Sequence, residues 1–273
     1  MRAPSPHLCV IILAALLAVP AAAAGTQERN VLVDELARRL ADTTLHDEKR
    51  IAAREQLVSM GAAQKLLELG KTAESENVRV HVAIALSALP TGREQAITGN
   101  LDLLSTWLAE AEDAALRYWA AMAIAAVPSQ KALDILTQAL KGQKPSSRLR
   151  AAIARVIGGW GGEFAEPARK VILGLLDSED PDARIAAIEA LRANEVKNKE
   201  VIQRIYEVAK KDEREPVWRA ALLALDRLEE VVPKLLGKLP PGASDQARQR
   251  ELMIWERRWK RLLRDREREA EGG

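Results

Sequence analysis

An arginine followed by small and aliphatic residues returns six times along the chain, in "KRIAAREQLVSMG" (49 to 61), "VRVHVAIALSALP" (78 to 90), "LRYWAAMAIAAVP" (116 to 128), "LRAAIARVIGGWG" (149 to 161), "ARIAAIEALRANE" (183 to 195) and "WRAALLALDRLEE" (218 to 230). The arginines are Arg50, Arg79, Arg117, Arg150, Arg184 and Arg219, separated by 29, 38, 33, 34 and 35 residues. In the last copy the Ala-Leu pair falls one residue early, which leaves its register open by one. A period in this range confines a chain to repeat architectures, because each unit has more apolar face than it can bury alone and needs a neighbour on either side.

Upstream of the arginine segments lies a second apolar stretch with helical spacing, as in "LDLLSTWLAEA" (101 to 111), "ALDILTQALKG" (132 to 142), "ARKVILGLLDS" (168 to 178) and "VIQRIYEVAKK" (201 to 211). Ile172, Leu173 and Leu176 recur at three- and four-residue steps, the pattern of one buried helix face. Between the two stretches the chain turns polar, with "GQKPSS", "SEDPD" and "KDEREP". Pro181 and Pro216 suit the first turn of the helix that follows, where a missing N–H leaves no bond unmade. Each unit therefore reads as helix, polar turn, helix. An aromatic content of 3% means that small and aliphatic side chains build the core, which favours closely packed helices over a sandwich of strands.

This pattern resembles the HEAT repeat, with "LGLLDSEDPDARIAAIEALRAN" (173 to 194) as the clearest copy, and the resemblance covers roughly residues 28 to 230. It implies an all-α fold, an α-solenoid of about six helical hairpins whose second helices line a concave face. It also implies a non-catalytic protein-interaction scaffold. HEAT-like folds include bilin lyases and DNA binders as well. An export segment and the lack of an evident acid pair argue against the first. Near balance of charge, 41 Lys and Arg against 39 Asp and Glu, argues against the second.

Ahead of the repeats, Arg2, the apolar run "LCVIILAALLAV" (8 to 19), Pro20 and the small residues Ala22 and Ala24 have the layout of a secretory signal peptide over residues 1 to 24. The expected location is periplasmic or extracellular. The single cysteine, Cys9, lies within that segment, so burial and not disulfide bonding must stabilise the rest. The expected division is a signal segment (1 to 24), a solenoid (25 to 230) and a helical cap (231 to 273).

Chemistry is sparse. "GGWGG" (158 to 162) lacks the Lys and Ser or Thr of a phosphate loop and falls where other copies carry an inter-unit bend. Gly158 and Gly159 are expected to end the helix through left-handed backbone, with Trp160 either capping the core or projecting. His46 and His81, in different units and without cysteine, give no metal cluster; no catalytic or cofactor-binding residue is identified.

The arginine column is read as a structural ladder to neighbouring carbonyls and to Asp177, Asp180, Asp182 and Asp212, with an anion-binding groove as its alternative. Where most copies have alanine two residues after the arginine (Ala52, Ala152, Ala186, Ala221), the second and third have His81 and Trp119, the latter beside Tyr118. His81, Tyr118, Trp119 and nearby Arg155 are the candidate contacts for a partner protein. The tail, "RQRELMIWERRWKRLLRDREREAEGG" (248 to 273), reads as one charged helix with Leu252, Trp255, Trp259 and Leu262 on a stripe. A cap over the last unit is expected, with a partner-docking or membrane-surface helix as alternatives.

Overall fold

A computed structural model describes residues 26–89, 94–142, 146–194, 199–228 and 239–271. The proposed signal segment and residues 231–238 of the tail lie outside the described residues. Among the described residues there are fourteen α-helices and no strand. Helices α1 (Thr26–Ala41) and α2 (Asp47–Ser59) form the first hairpin, α3 (Ala63–Thr72) and α4 (Glu76–Ser87) the second. After the short α5 (Glu94–Thr98) come α6 (Leu101–Glu110) with α7 (Ala114–Ala125), α8 (Gln130–Lys141) with α9 (Ser147–Gly158), α10 (Ala165–Leu175) with α11 (Pro181–Ala193), and α12 (Lys199–Lys211) with α13 (Glu215–Leu228). The last helix, α14, runs from Asp245 to Glu271. The fold is an all-α solenoid, and the described residues make six hairpins and a C-terminal helix.

Local sequence sets the helix starts. Ser129 and Ser146 accept from the backbone N–H of Ala132 (3.1 Å) and Leu149 (3.3 Å), and Asp180 accepts from that of Asp182 (2.9 Å). Each satisfies a donor that a first turn leaves free. Pro181 is the first residue of α11 and Pro216 the second of α13.

Two compact units divide the chain, one of residues 1–107 and 111–123, the other of 108–110 and 124–273. In the first, α2 packs on α1 and α4, and α3 on α4. Trp107 of α6 lies against Gly70 of α3 so closely that a Cβ there would stand 2.6 Å from its ring. In the second, α9, α11 and α13 stack in series and α12 packs on both α13 and α14. Leu252, Trp255 and Trp259 of α14 are buried, Trp255 stacked on Tyr206 of α12 and on Trp259, both at 5.5 Å between centroids. The side chain of Leu262, the fourth residue of the expected stripe, lies outside the described residues. With its tryptophans covered, the stripe is not free to lie on a membrane.

The glycine-rich bend departs from expectation in detail. Gly159 is right-handed (φ −85°), and the left-handed residue is Gly162, at φ 59°. Gly158 is held to glycine by crowding, since a Cβ would meet the Asn194 amide nitrogen at 2.6 Å and Ile172 at 3.0 Å. Asn194 occupies that space because its amide donates to the carbonyls of Arg155 (3.0 Å) and Ala190 (2.9 Å). Trp160 turns inward, its indole N–H donating to the Ala125 carbonyl at 3.0 Å.

Candidate functional site

Five of the six column arginines are the fourth residue of their helix, and Arg219 is the fifth, which resolves the open register of the last copy. Side chains on a helix lean toward its N-terminus, so a guanidinium at this position reaches back over the turn just passed. Arg50 donates to the Leu40 carbonyl (3.1 Å), Arg79 to Ala73 (2.9 Å), Arg117 to Ala111 and Glu112, Arg150 to Gly142 (3.2 Å), and Arg184 to Ser178 (2.6 Å). These are carbonyls at or just past the end of a first helix, which the helix itself leaves unpaired.

Three arginines also reach the next hairpin. Arg50 donates to the Asn77 amide oxygen, Arg150 pairs with Asp180, and Arg184 grips Asp212 through Nε (2.7 Å) and Nη2 (3.2 Å). Between the second and third hairpins Glu76 makes the link in reverse, accepting from the N–H groups of Glu112 (3.1 Å) and Asp113 (2.9 Å). Two acids expected in the column stand elsewhere. Asp177, at the end of one first helix, pairs with Arg204 of the next, and Asp182 accepts from Ser147.

Sequence reading missed a seventh such arginine. Arg248 is the fourth residue of α14 and 29 residues after Arg219, the same interval that separates Arg50 from Arg79. It donates to the Asp212 carbonyl at 2.6 Å, while Arg219 turns to the carbonyls of Leu239 (3.3 Å) and Pro240 (3.2 Å). Both guanidiniums lie over the Trp218 ring, at 5.2 and 5.5 Å. The interval was the available signal, hidden because no run of small residues follows Arg248.

Three of the four expected partner contacts lie in the first unit and one in the second. Tyr118 and Trp119 on α7 meet edge to face at 5.1 Å and are both half-buried. His81 is only 8% exposed, and Nη1 of Arg54 lies 3.4 Å from its Nδ1. Burial, then Arg50 and Arg54, hold its pKa below the usual histidine value. Burial likewise lowers that of Arg54. Arg155 is exposed on α9, in the second unit.

On the second helices of the first unit Ile51 on α2, Val80 and Ile84 on α4, and Tyr118, Trp119 and Met122 on α7 are half-exposed, as are the polar Arg54, Arg79 and Arg117. In the second unit the second helices show charged residues, with Arg155 exposed on α9, Glu189 and Arg192 half-exposed on α11 and Arg227 exposed on α13, beside the apolar Val156, Ile185 and Leu223. That unit also has a groove of about 890 Å³ between α8 and α10, lined by Thr137, Lys141, Lys170, Gly174 and the Arg150–Asp180 pair. Among the described residues no three of His, Cys, Asp and Glu gather as metal ligands would. No described helix is long and apolar enough to cross a membrane.

Residues 63–154, 101–173 and 142–226 match the profile of the HEAT repeats. The X-ray structure of YibA from Escherichia coli is similar over 87% of this chain and 81% of its own, at 18% identity and a TM-score of 0.50. An engineered protein matches over 81% of this chain and 97% of its own, at 20% identity and a TM-score of 0.40. No curated protein matches the chain. At 18% identity the likeness to YibA speaks for the fold alone.

Proposed function

The chain belongs to the HEAT repeat family, whose fold is generally a protein-interaction scaffold, and we propose that it is a non-catalytic adaptor that binds another protein on the second helices of its first unit. One observation carries this reading. Tyr118 and Trp119 stand half-exposed edge to face on α7, with Met122 half-exposed on the same helix, and Trp119 takes a place where the first, fourth, fifth and sixth copies have alanine. Aromatic side chains partly held by their own fold bind at low entropic cost and dominate the energetics of interfaces. In this proposal the column arginines are structural, each absorbed by carbonyls or by the next hairpin, and the adaptor works outside the cytoplasm after export through residues 1–24.

Exchange of Trp119 for Ala tests the reading. With a photo-crosslinking residue placed at Ala115, one helical turn away, the wild-type chain should capture a defined protein from envelope extract. Trp119→Ala should abolish capture and lower the melting temperature by only a few degrees. Capture that survives the substitution, or that is lost only as the fold is lost, would overturn the proposed surface.

A further inference from the structure

The cations at the seam of α2 and α4 outnumber the groups that answer them. Arg50 is 3% exposed, and although Nε and Nη1 are bonded, its Nη2 is buried with no partner. One turn on, Arg54 is half-buried and touches only the Nδ1 of His81 among the described residues. Glu55, its neighbour in sequence, partly offsets that burial through space, but it is exposed and closes no ion pair with Arg54 among the described residues. Asp47, 3.6 Å from Arg50 and largely exposed, is the single carboxylate paired to the cluster among the described residues. Three other well-buried arginines have a carboxylate closer at hand, Arg150 with Asp180, Arg184 with Asp212 and Arg248 with Asp245, although Arg150 and Arg248 each leave a buried Nε without a partner as well. Leaving a guanidinium partly dehydrated and unanswered is costly, and the cost is recovered when an anion arrives.

We infer that Arg54, with Arg50 and His81 beneath it, is a receptor for one carboxylate presented by an acidic segment of a partner protein. The surroundings select that ligand. Ile51, Val80 and Ile84 border the seam, so a carboxylate flanked by apolar side chains matches both the charge and the greasy rim. A fork of guanidinium donors accepts a planar carboxylate in two parallel bonds. Arg54 is the anchor and Arg50 the fixed charge behind it. His81 is the reporter, since the charged groups facing it are Arg50, Arg54 and Asp47. The inference rests on the proposed adaptor function only for the source of the carboxylate.

Acetate, inorganic phosphate and chloride serve as probes on the full chain, with the His81 ring followed by NMR and the exposed His46 ring as reference. A carboxylate seated on Arg54 offsets the two guanidiniums and raises the His81 pKa toward its ordinary value. By linkage, acetate then binds more tightly as His81 takes up its proton, by the same factor as the rise in proton affinity that acetate causes at the ring. The expected result is a saturable acetate response at His81 and none at His46, lost in Arg54→Gln, retained in Arg54→Lys and unchanged in Arg155→Gln. An acetate response no different from that to chloride, or equal in Arg54→Gln, overturns the site, and saturation by phosphate alone overturns its assignment to a carboxylate. Capture through the Tyr118–Trp119 surface is scored separately. If it survives Arg54→Gln, the carboxylate is not the partner's; if it fails with Trp119→Ala while acetate still binds, the adaptor surface and the anion site both stand.

Discussion

The two compact units are built from the same hairpin and finished differently. In the second, charges meet charges: Arg150 with Asp180, Arg184 with Asp212 by two bonds, Arg204 with Asp177, and a terminal helix laid over α12. In the first, the links between hairpins are the Lys65–Asp34 ion pair (2.6 Å), an amide at Asn77 and backbone N–H groups at Glu112 and Asp113, and Ile51, Val80, Ile84 and Met122 are half-exposed on the second helices. Exposed Val31 and Leu32 of α1 have no counterpart of the tryptophan-bearing α14 over them among the described residues. The difference teaches that one hairpin design can be joined to the next mainly through arginine–carboxylate pairs in one stretch and mainly through amide and backbone groups in another.

The largest effect that sharpens this contrast is expected at α14. Trp255 and Trp259 are 1% and 3% exposed, and removing a buried ring of this size costs about 3–5 kcal/mol, a large share of the ~5–15 kcal/mol that holds a domain. Trp255→Ser with Trp259→Ser should expose α12, read as faster amide exchange over residues 199–211 than over 63–87. Equal acceleration in both stretches would break the contrast. Because both indole N–H groups are buried without a partner, the loss should fall toward the lower end of that range.

A smaller effect separates the two kinds of ladder rung. Arg184→Met removes both bonds from Arg184 to the nearly buried Asp212, which still accepts one from the Arg214 N–H (2.9 Å), and breaking a buried pair costs about 3–5 kcal/mol. Arg79→Met removes one bond to the Ala73 carbonyl, worth about 1 kcal/mol. Urea midpoints of the two variants should therefore fall in that order, and equal midpoints would mean that the charged link adds nothing to the carbonyl cap.

The smallest pair concerns glycines inside first helices. Gly70→Ala drives a Cβ to 2.6 Å from Trp107 and 3.2 Å from Val82, an overpacking cost of about 1–3 kcal/mol set against the better helix propensity of alanine. Gly174→Ala meets nothing within 4 Å on α10 and should gain roughly 0.5–1 kcal/mol. Opposite signs in thermal melts support close packing at one and open groove at the other.

Much of the fold is legible in the sequence because arginine, turn and apolar run repeat together, and a fault in any one copy is corrected by the rest. Arg248 escapes because α14 keeps the arginine but surrounds it with charge. The bend at "GGWGG" is legible in its place and not in its cause, since the pressure on Gly158 comes from Asn194, 36 residues away, and long-range crowding leaves no local signature. The candidate surface is half legible. Bulk at Trp119 stands out against alanine, whereas the burial of His81 and its approach to Arg54 depend on how α4 lies on α2.

Arg184 reaches 28 residues along the chain, Trp160 reaches 35 and Tyr206, bonded to Glu256, reaches 50, the longest span among the described side-chain hydrogen bonds. Structure of such short range can assemble in the order in which it is synthesised, each hairpin sealed when the following one emerges. The sixth hairpin is the exception: its carbonyls at Lys210 and Asp212 and its Tyr206 ring wait for Arg248, Trp255 and Glu256. A nascent chain halted at residue 240 should accordingly be cut by protease within 199–228 and resist it over 146–194, and extension past Trp259 should close that window.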